Sequence, residues 1–569
     1  MDYANYKTGA FRIRAGYILC GIGGLLLLCW VALFTGCVSD EVSEQGMIAD
    51  YQQIVSEKGA QQRDAEEGLG MLLPEPSPAI SALEVVEDPN SEELAVNLSI
   101  EQALVRAFSN NSEIRIVSFD PSIAREEVSK AAGRFDVSLF GQANSERTDS
   151  PSNSQFVAGQ RDARVVETGI KQTNTIGSEW SVSYGLTRNW DDLSFTQVST
   201  RYEPMLSFQI KQPLWRDGWE EVNLSGVNIS KLKHEAALLS FRQKTEEISA
   251  NVISVYWILM ESGKSVEIQE WLFEESTKTM EKVLGRKGID ASTVQIKQAE
   301  AAVKSREAIL FGSRKRFVDV QDALIRMLSD RQLNILGKFR VIPVSQPNVT
   351  LPVLDYTKIL EIAMGNNPLI QQAKLGIEIA DINIEVAKNQ KMARLDLVAT
   401  ARLTGLNRGY GAANESLSQR DYTSYTVGVL YEYPLGNRTR AAEHRKRMLE
   451  RSKAVSIMQN VSDQIAQEAK EKIRKVETAF KQMKVQKEAA AASRLHLQAV
   501  EDTEQIRKTL TPESLLVKLQ AQESLATAEH AEIKAIADFN NAQVQLAQVM
   551  GTVLEMHQIA SSMPSVAIK

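Results

Sequence analysis

Thiols and imidazoles are nearly missing from this chain of 569 residues. Its three cysteines, Cys20, Cys29 and Cys37, all stand before residue 38, so no disulfide framework or cysteine metal cage can hold the remainder. The five histidines are scattered singly. None stands in a Ser-His-Asp or Cys-His arrangement or in ligand-spaced company, so neither catalysis nor a metal site is expected. Proline is absent from Glu220 to Leu284 and from Arg438 to about Leu510, which leaves nothing to break a long helix in either stretch. An excess of one charge is also lacking, with 65 basic against 72 acidic residues and no basic block beyond short clusters such as Arg445-Lys446-Arg447. Nucleic acid is therefore not an expected partner. Gly285-Arg-Lys-Gly288 lacks the rest of any phosphate loop.

What is present begins with a processed N-terminus. Lys7, Arg12 and Arg14 precede an apolar run from about Tyr17 to Phe34, and Leu33-Phe34-Thr35-Gly36 then leads into Cys37. A positive flank, an apolar stretch and small residues before a cut describe a secretory signal. A cysteine directly after the cut resembles a bacterial lipobox, which makes Cys37 a lipidation site and the mature first residue. The alternative is a signal-anchor helix, since the run is about long enough to cross a bilayer. Cleavage would also remove Cys20 and Cys29. The lipid on Cys37 is the only non-protein group expected; no cofactor or metal is. By the rules of such signals, Val38 in place of Asp favours sorting to the outer membrane.

The body of the chain is written twice. At one constant offset Leu98, Leu104, Ala107, Asn110, Asn111 and Ile114 meet Leu354, Leu360, Ala363, Asn366, Asn367 and Ile370. Each copy then passes through alternating sequence to a Pro-Leu step, at Pro213 and Pro434, then into a very long helical stretch and on to Gln298–Glu300 or Gln520–Gln522. Two large copies indicate tandem duplication rather than a solenoid of many repeats. The division is a signal peptide over 1–36, a lipid-anchored spacer over 37–97, a first repeat over 98–353, a second over 354–551 and a C-terminal tail over 552–569.

The spacer is rich in Glu, Gln, Ser and Pro and reads as partly disordered, with a short helix near Met47–Ser56. Ser99 and Gln102 form a capping-box pattern, and Pro121 suits the first turn of a second helix. Asn110-Asn111 and Asn366-Asn367 read as turns ending the first short helix of each repeat, since Asn tolerates the left-handed region. Period-two alternation follows over Phe135–Gly141, Trp180–Leu186, Met205–Ile210, Leu395–Ala401 and Tyr425–Tyr431, the strand signal. Its rim of Tyr, Trp and Phe fits a membrane barrel wall; a sugar-binding platform is the weaker reading. Copy one holds more strand sequence than copy two, which implies an extra hairpin around Asn174–Gly177. Asp149–Ser154 and Gly409–Ser418 read as exposed loops.

The helical stretches are each roughly 100 Å long. Leu238, Val252, Leu259, Val266, Phe273 and Met280 share one seven-residue track, and Ile296, Val303, Leu310, Phe317 and Leu324 share another. Such a period means helices packed side by side. About four strands cannot close a barrel, and an open edge in a bilayer leaves unpaired backbone that lipid does not tolerate. Narrow apolar helix seams also need neighbours. A ring of identical subunits satisfies both demands, and a shared barrel continued by a shared helical tube is a conduit.

Ser207–Trp215 (SFQIKQPLW) and Gly428–Gly436 (GVLYEYPLG) resemble the strand-to-helix junctions of TolC-like outer-membrane efflux proteins. Gly288–Glu300 and Leu510–Gln522 are similar to that family's helical-tip turn and the helix after it. The resemblance spans about Leu98 to Gly551. It implies an α+β fold in which tandem-duplicated β-barrel strands adjoin very long coiled-coil-like helices. It further implies a homotrimer with a shared barrel of about twelve strands and a periplasmic α-barrel closed at its tip. The partners it implies are a periplasmic adaptor (membrane fusion) protein, an inner-membrane pump and outer-membrane lipid. The function implied is that of an exit duct in a tripartite efflux system, a non-enzyme of the outer membrane.

Where the family often carries a tip Asp, this chain has Gln295 and Val517; the tip glycine is kept as Gly288 but is Leu510 in copy two. The candidate tip and aperture residues are Gly288, Asp290, Ser292, Thr511, Pro512 and Glu513. For Asp290 and Glu513 the plainer reading is a helix-start acid favoured by the dipole. Two other functions stay open: the exit duct of a type I protein secretion system, and a non-conducting structural envelope lipoprotein.

Overall fold

A computed structural model describes residues 84–87, 94–151, 158–192, 200–288, 291–330, 333, 339–507 and 511–556. All of them lie in one compact unit, residues 74–569. The signal, Cys37, the Met47–Ser56 helix, Asp290, Leu510 and the tail beyond Met556 lie outside the described residues.

Short elements open the unit. Strands β1 (Glu84–Glu87) and β2 (Leu94–Leu98) pair antiparallel, so the last residues of the segment read as spacer are hydrogen-bonded. Helix α1 (Ile100–Asn110) starts on the expected capping box: Gln102 N donates to Ser99 Oγ at 3.2 Å, and Ser99 N donates to Gln102 Oε1 at 3.1 Å. Helix α2 spans Ser112–Ala132. It begins nine residues before Pro121, which is a correction: Asn111, not Pro121, starts the helix, and the proline lies inside it. Pro121 cannot donate the hydrogen bond its place in the helix calls for, and packing of α2 along a later helix, α4, carries the helix through it.

Four strands follow in copy one, β3 (Ser138–Asp149), β4 (Gln160–Thr173), β5 (Glu179–Asp191) and β6 (Thr200–Pro213). The expected extra hairpin is β4–β5, turning through Asn174–Ser178 with Gly177 at φ +86°. Phe135, expected in a strand, belongs instead to a 3-10 turn over Gly133–Phe135. A one-turn α3 (Glu220–Asn223) leads to α4 (Ser225–Gly285), and α5 (Thr293–Leu328) returns beside it. Strand β7 (Phe339–Pro343) closes copy one by pairing parallel to β2.

Copy two repeats the order with α6 (Tyr356–Asn366), α7 (Pro368–Gln390), β8 (Arg394–Thr404), α8 (Tyr410–Gln419), β9 (Tyr422–Glu432), α9 (Arg438–Arg507) and α10 (Pro512–Met550). A last turn, α11 (Val553–Met556), follows. The segment read as the loop Gly409–Ser418 is therefore a helix. At 61 and 70 residues, α4 and α9 are roughly 90 and 105 Å long.

Both apolar tracks are found facing inward. Val252, Leu259 and Val266 on α4 are buried, as are Val303, Leu310 and Leu324 on α5. The α4–α5 and α9–α10 hairpins meet along α4 and α10. The main core gathers where α1, α4, α5 and the β1–β2–β7 sheet converge. There Tyr256, fully buried, donates to Leu98 O at 2.9 Å and accepts from Ser345 N at 2.9 Å. A buried ion pair joins Arg106 of α1 to Asp330 just past α5. No helix among the described residues is long and apolar enough to cross a membrane.

The second sheet is continuous and antiparallel, in the order β3-β4-β5-β6-β8-β9. Copy one supplies four of its strands and copy two supplies two, where a shared barrel of about twelve strands asks four of each of three chains.

Candidate channel wall and periplasmic tip

Register across the sheet sorts side chains into two unlike faces. One row crosses Leu139, Ile170, Val182, Phe208, Ala401 and Tyr425; the next crosses Thr168, Tyr184, Leu206, Leu403 and Thr423. The opposite face carries Gln142, Glu167, Gly185 and Met205, and, one row away, Gly169, Ser183, Ser207, Arg402 and Ser424. The apolar face is the open one: Leu139 is 72% exposed, Val427 68% and Tyr425 83%. On the polar face Ser183, Asn189, Asp191 and Asp396 are buried. Alternation of this kind is what a wall between lipid and water requires. Near the Pro213 end, the polar face holds a cleft lined by Arg134, Asp136, Lys171, Glu179 and Lys211, with Lys211 Nζ 3.2 Å from Glu179. Helix α8 lies on the apolar side, where Tyr184 donates to Asn414 Oδ1 at 2.8 Å and Tyr202 meets Tyr410 edge-on at 6.4 Å.

Both strand-to-helix junctions turn on asparagine. Pro213 ends β6 and is buried. Beyond it Asp217 and Trp219 adopt positive φ, and Asn389 of α7 holds the bend by accepting from Asp217 N at 2.9 Å and donating to Trp215 O at 3.1 Å. In copy two Pro434 O accepts from Asn437 N at 3.2 Å, Gly436 takes φ +88°, and Asn437 donates to Lys391 O at 2.9 Å.

At the far end of the hairpins four of the candidate tip residues, Ser292, Thr511, Pro512 and Glu513, belong to helix starts. Gly288 takes φ +87° in the turn after α4. Ser292 caps α5, accepting from Gln295 N at 3.3 Å while Ser292 N donates to Gln295 Oε1 at 2.7 Å. Thr511 caps α10 with Ser514 in the same reciprocal way, Pro512 fills the first turn, and Glu513 is an exposed first-turn acid. Gln295, at the place of the family's tip Asp, is almost wholly buried. The two tips are brought together by a cluster of Val283, Leu515 and Leu519, with Ala291, Ile296 and Ala302 against it.

Sequence reading missed a set of polar groups buried between the hairpins. Arg306 of α5 donates to Gln522 Oε1 at 3.0 Å and to Leu519 O at 2.8 Å on α10. Burial pushes its pKa down, opposed by the charge of Glu523. Glu261 of α4 receives Arg316 of α5 at 3.0 Å and faces His530 Nε2 of α10 at 3.3 Å. Burial opposes the Glu261 carboxylate, but the close approach of His530 and the charges of Arg316, His530 and Lys534 outweigh it and hold its pKa below the usual value. One signal was available: Arg306 sits between Val303 and Leu310 at helical spacing, a charge on an apolar stripe.

No family model matches the chain, and no curated protein does. Solved structures do. The outer membrane protein VceC of Vibrio cholerae has 15% identity, a TM-score of 0.58, and coverage of 79% of this chain and 96% of its own. The Campylobacter jejuni CmeC outer membrane channel has 12% identity and a TM-score of 0.57, covering 85% and 95%. The Neisseria gonorrhoeae MtrE outer membrane channel, in its open state, has 16% identity and a TM-score of 0.55, covering 84% and 95%. The chain thus has the mixed helix-and-sheet fold of these channels, the TolC-like fold that its junction and tip phrases resemble.

Proposed function

We propose that this chain is one subunit of an outer-membrane exit duct, in which three copies share a barrel and a helical tube. The observation that carries this reading is the six-stranded sheet. One face is apolar and largely open, the other is polar and more buried, and among the described residues neither β3 nor β9 has a partner on its outer edge. Such a sheet needs lipid on one side, water on the other and neighbours at both edges. The helices that continue it beyond Pro213 and Pro434 are long enough to reach deep into a periplasm. The fold shared with known outer-membrane channels supports the same reading.

On this reading the tube passes solutes from a periplasmic adaptor and an inner-membrane pump, and the tip between Gly288–Ser292 and Thr511–Glu513 is its entrance. The chain sits in the outer membrane, tied to it also by lipid on Cys37, and performs no chemistry on its cargo. Purified protein reconstituted into planar bilayers should insert as trimers and conduct ions. Failure to co-fractionate with the outer membrane, together with no conductance even after the tip hairpins are truncated, would overturn the proposal. For Cys37, radiolabelled lipid should mark wild type and spare Cys37→Ser; equal labelling would remove the anchor.

A further inference from the structure

We infer that all six strands belong to the wall of the duct, so that the exit contains eighteen strands and is wide enough to pass bulky, hydrated polar cargo. This rests on the duct reading and departs from the four strands per chain that the family resemblance implies. Three observations support it. The pairing is unbroken: β4 and β5 are bonded along nearly their whole lengths to β3 and β6, with twelve or more partners on each side. The hairpin also obeys the same two-faced rule as its neighbours. Val182, Tyr184, Leu186 and Val166 stand on the apolar face, while Ser183, Gly185, Thr187 and Glu167 stand on the polar one. Finally, its 13 and 14 residues exceed the roughly 9–11 that a tilted strand needs to cross a bilayer.

A hairpin folded outside the membrane would have no reason to expose Val166 and Ile170 in line with Leu139 and Phe208. Pulling it out of the sheet would break the pairing that β3 and β6 make with it along nearly their whole lengths, and those two strands would have to pair with each other instead. The occupant of the two outer edges is a second copy of this chain, β3 of one meeting β9 of the next. At a strand spacing of about 4.8 Å and a tilt of about 40°, eighteen strands close at a backbone diameter of about 36 Å, against about 24 Å for twelve. The cross-section roughly doubles, leaving an aqueous bore on the order of 20 Å after side chains fill the rim. Its lining carries Glu167, Ser183, Arg402 and Lys211 from the polar face, so the exit favours hydrated solutes over apolar ones.

The hairpin can be removed cleanly. Asp149 ends β3 and Thr200 begins β6 at the same rim, so deleting residues 150–199 joins them into a four-stranded chain. The first test uses the full chain in nanodiscs: its strands are counted by cryo-electron microscopy, and Val166→Cys and Glu167→Cys, in a Cys20→Ser, Cys29→Ser, Cys37→Ser background, are probed with an impermeant thiol reagent. Eighteen strands, with Glu167→Cys modified at least about tenfold faster than Val166→Cys, is the expected result for adjacent wall residues facing water and lipid. A membrane-inserted barrel of twelve strands, or equal modification at both positions, overturns the inference and leaves the duct reading intact. A protein that never inserts overturns both. Where the deletion variant also inserts, polymer exclusion on tip-truncated pores should show the full chain admitting larger polyethylene glycols than the 150–199 deletion; equal cut-offs count against the wider exit.

Discussion

Asn111 and Asn367 hold equivalent places in the two repeats and perform the same three tasks. Each follows the last residue of a short helix, with its N–H bonded to Ala107 O or Ala363 O. Each caps the next helix through its side-chain oxygen, Asn111 Oδ1 accepting from Glu113 N at 2.8 Å and Asn367 Oδ1 from Leu369 N at 3.0 Å. Each also donates from Nδ2 to the second-last residue of its repeat's final helix, Met327 O at 2.6 Å and Val549 O at 3.1 Å. Their backbones are extended, at φ −61° and −64°, so the recurrence reflects capping and cross-linking rather than the left-handed turn that the sequence suggested.

Loss of either asparagine should therefore cost more than a surface cap. Asn111→Ala and Asn367→Ala are expected to destabilise by about 2–3 kcal/mol each, combining a lost cap with an orphaned buried carbonyl. Asn→Asp keeps the cap oxygen and loses the Nδ2 donor, so it should fall between wild type and alanine. Denaturant titration of the four variants measures this; alanine variants within 0.5 kcal/mol of wild type, the scatter of an ordinary surface change, would refute it.

Two buried glutamates should respond oppositely to pH. Glu246 is pushed up by burial despite Arg242, so its protonated form is favoured by folding, and stability is lost as pH rises above the ordinary carboxylate range through the raised folded value. Glu261 is held down, so its contribution is present at neutral pH and is lost as pH falls below that range through the lowered folded value. Glu246→Gln should raise the melting temperature at pH 8 and change little at pH 4. Glu261→Gln should lower it at pH 7, with the difference shrinking under acid. Parallel pH profiles for the two variants would contradict the assignment.

The ion pair of Arg106 and Asp330 lies at 1% and 5% side-chain exposure, where one charge cannot stand alone. Arg106→Leu is expected to destabilise by about 3–5 kcal/mol, and Arg106→Leu with Asp330→Leu to recover most of it. A double variant no better than the single one counts against this reading.

Gly177 turns β4 into β5 at φ +86°, where a Cβ would press on Asp217 O and the Asn223 amide. Gly177→Ala should cost about 1–3 kcal/mol through left-handed strain and displacement of the junction after Pro213. Gly428 has open space at its Cβ position, and Gly428→Ala serves as the tolerated control. Heat-resistance of the folded protein on gels reads both; equal behaviour of the two would sink the argument.

Much of this architecture was legible because it is periodic and long. The seven-residue tracks on α4 and α5, the alternation in β5 and β8, and the Ser99–Gln102 capping box all specify their elements locally. What escaped was short or set by distant contacts. The β1–β2–β7 sheet uses strands of four and five residues, too brief to show a period, and its pairing joins Leu94 to Phe339 across the whole first repeat. Helix α8 sits in a Gly-, Asn- and Ser-rich stretch of weak propensity and is held by Tyr184 and Tyr202 of other strands. Pro121 signalled a helix start, yet Asn111 satisfied the end groups earlier, and packing on α4 carried the helix through the proline. Buried Arg306 depends on facing Gln522 across two hairpins, which no local pattern encodes.

The reciprocal caps at Ser292–Gln295 and Thr511–Ser514 have a mechanical consequence. Among the described residues each cap is closed within its own turn, Ser292 with Gln295 and Thr511 with Ser514. In the duct proposed above, the two hairpins would part at this end without either cap being broken. What would resist their parting is the apolar contact among Val283, Leu515 and Leu519 and the bonds from Arg306 to Gln522 and Leu519.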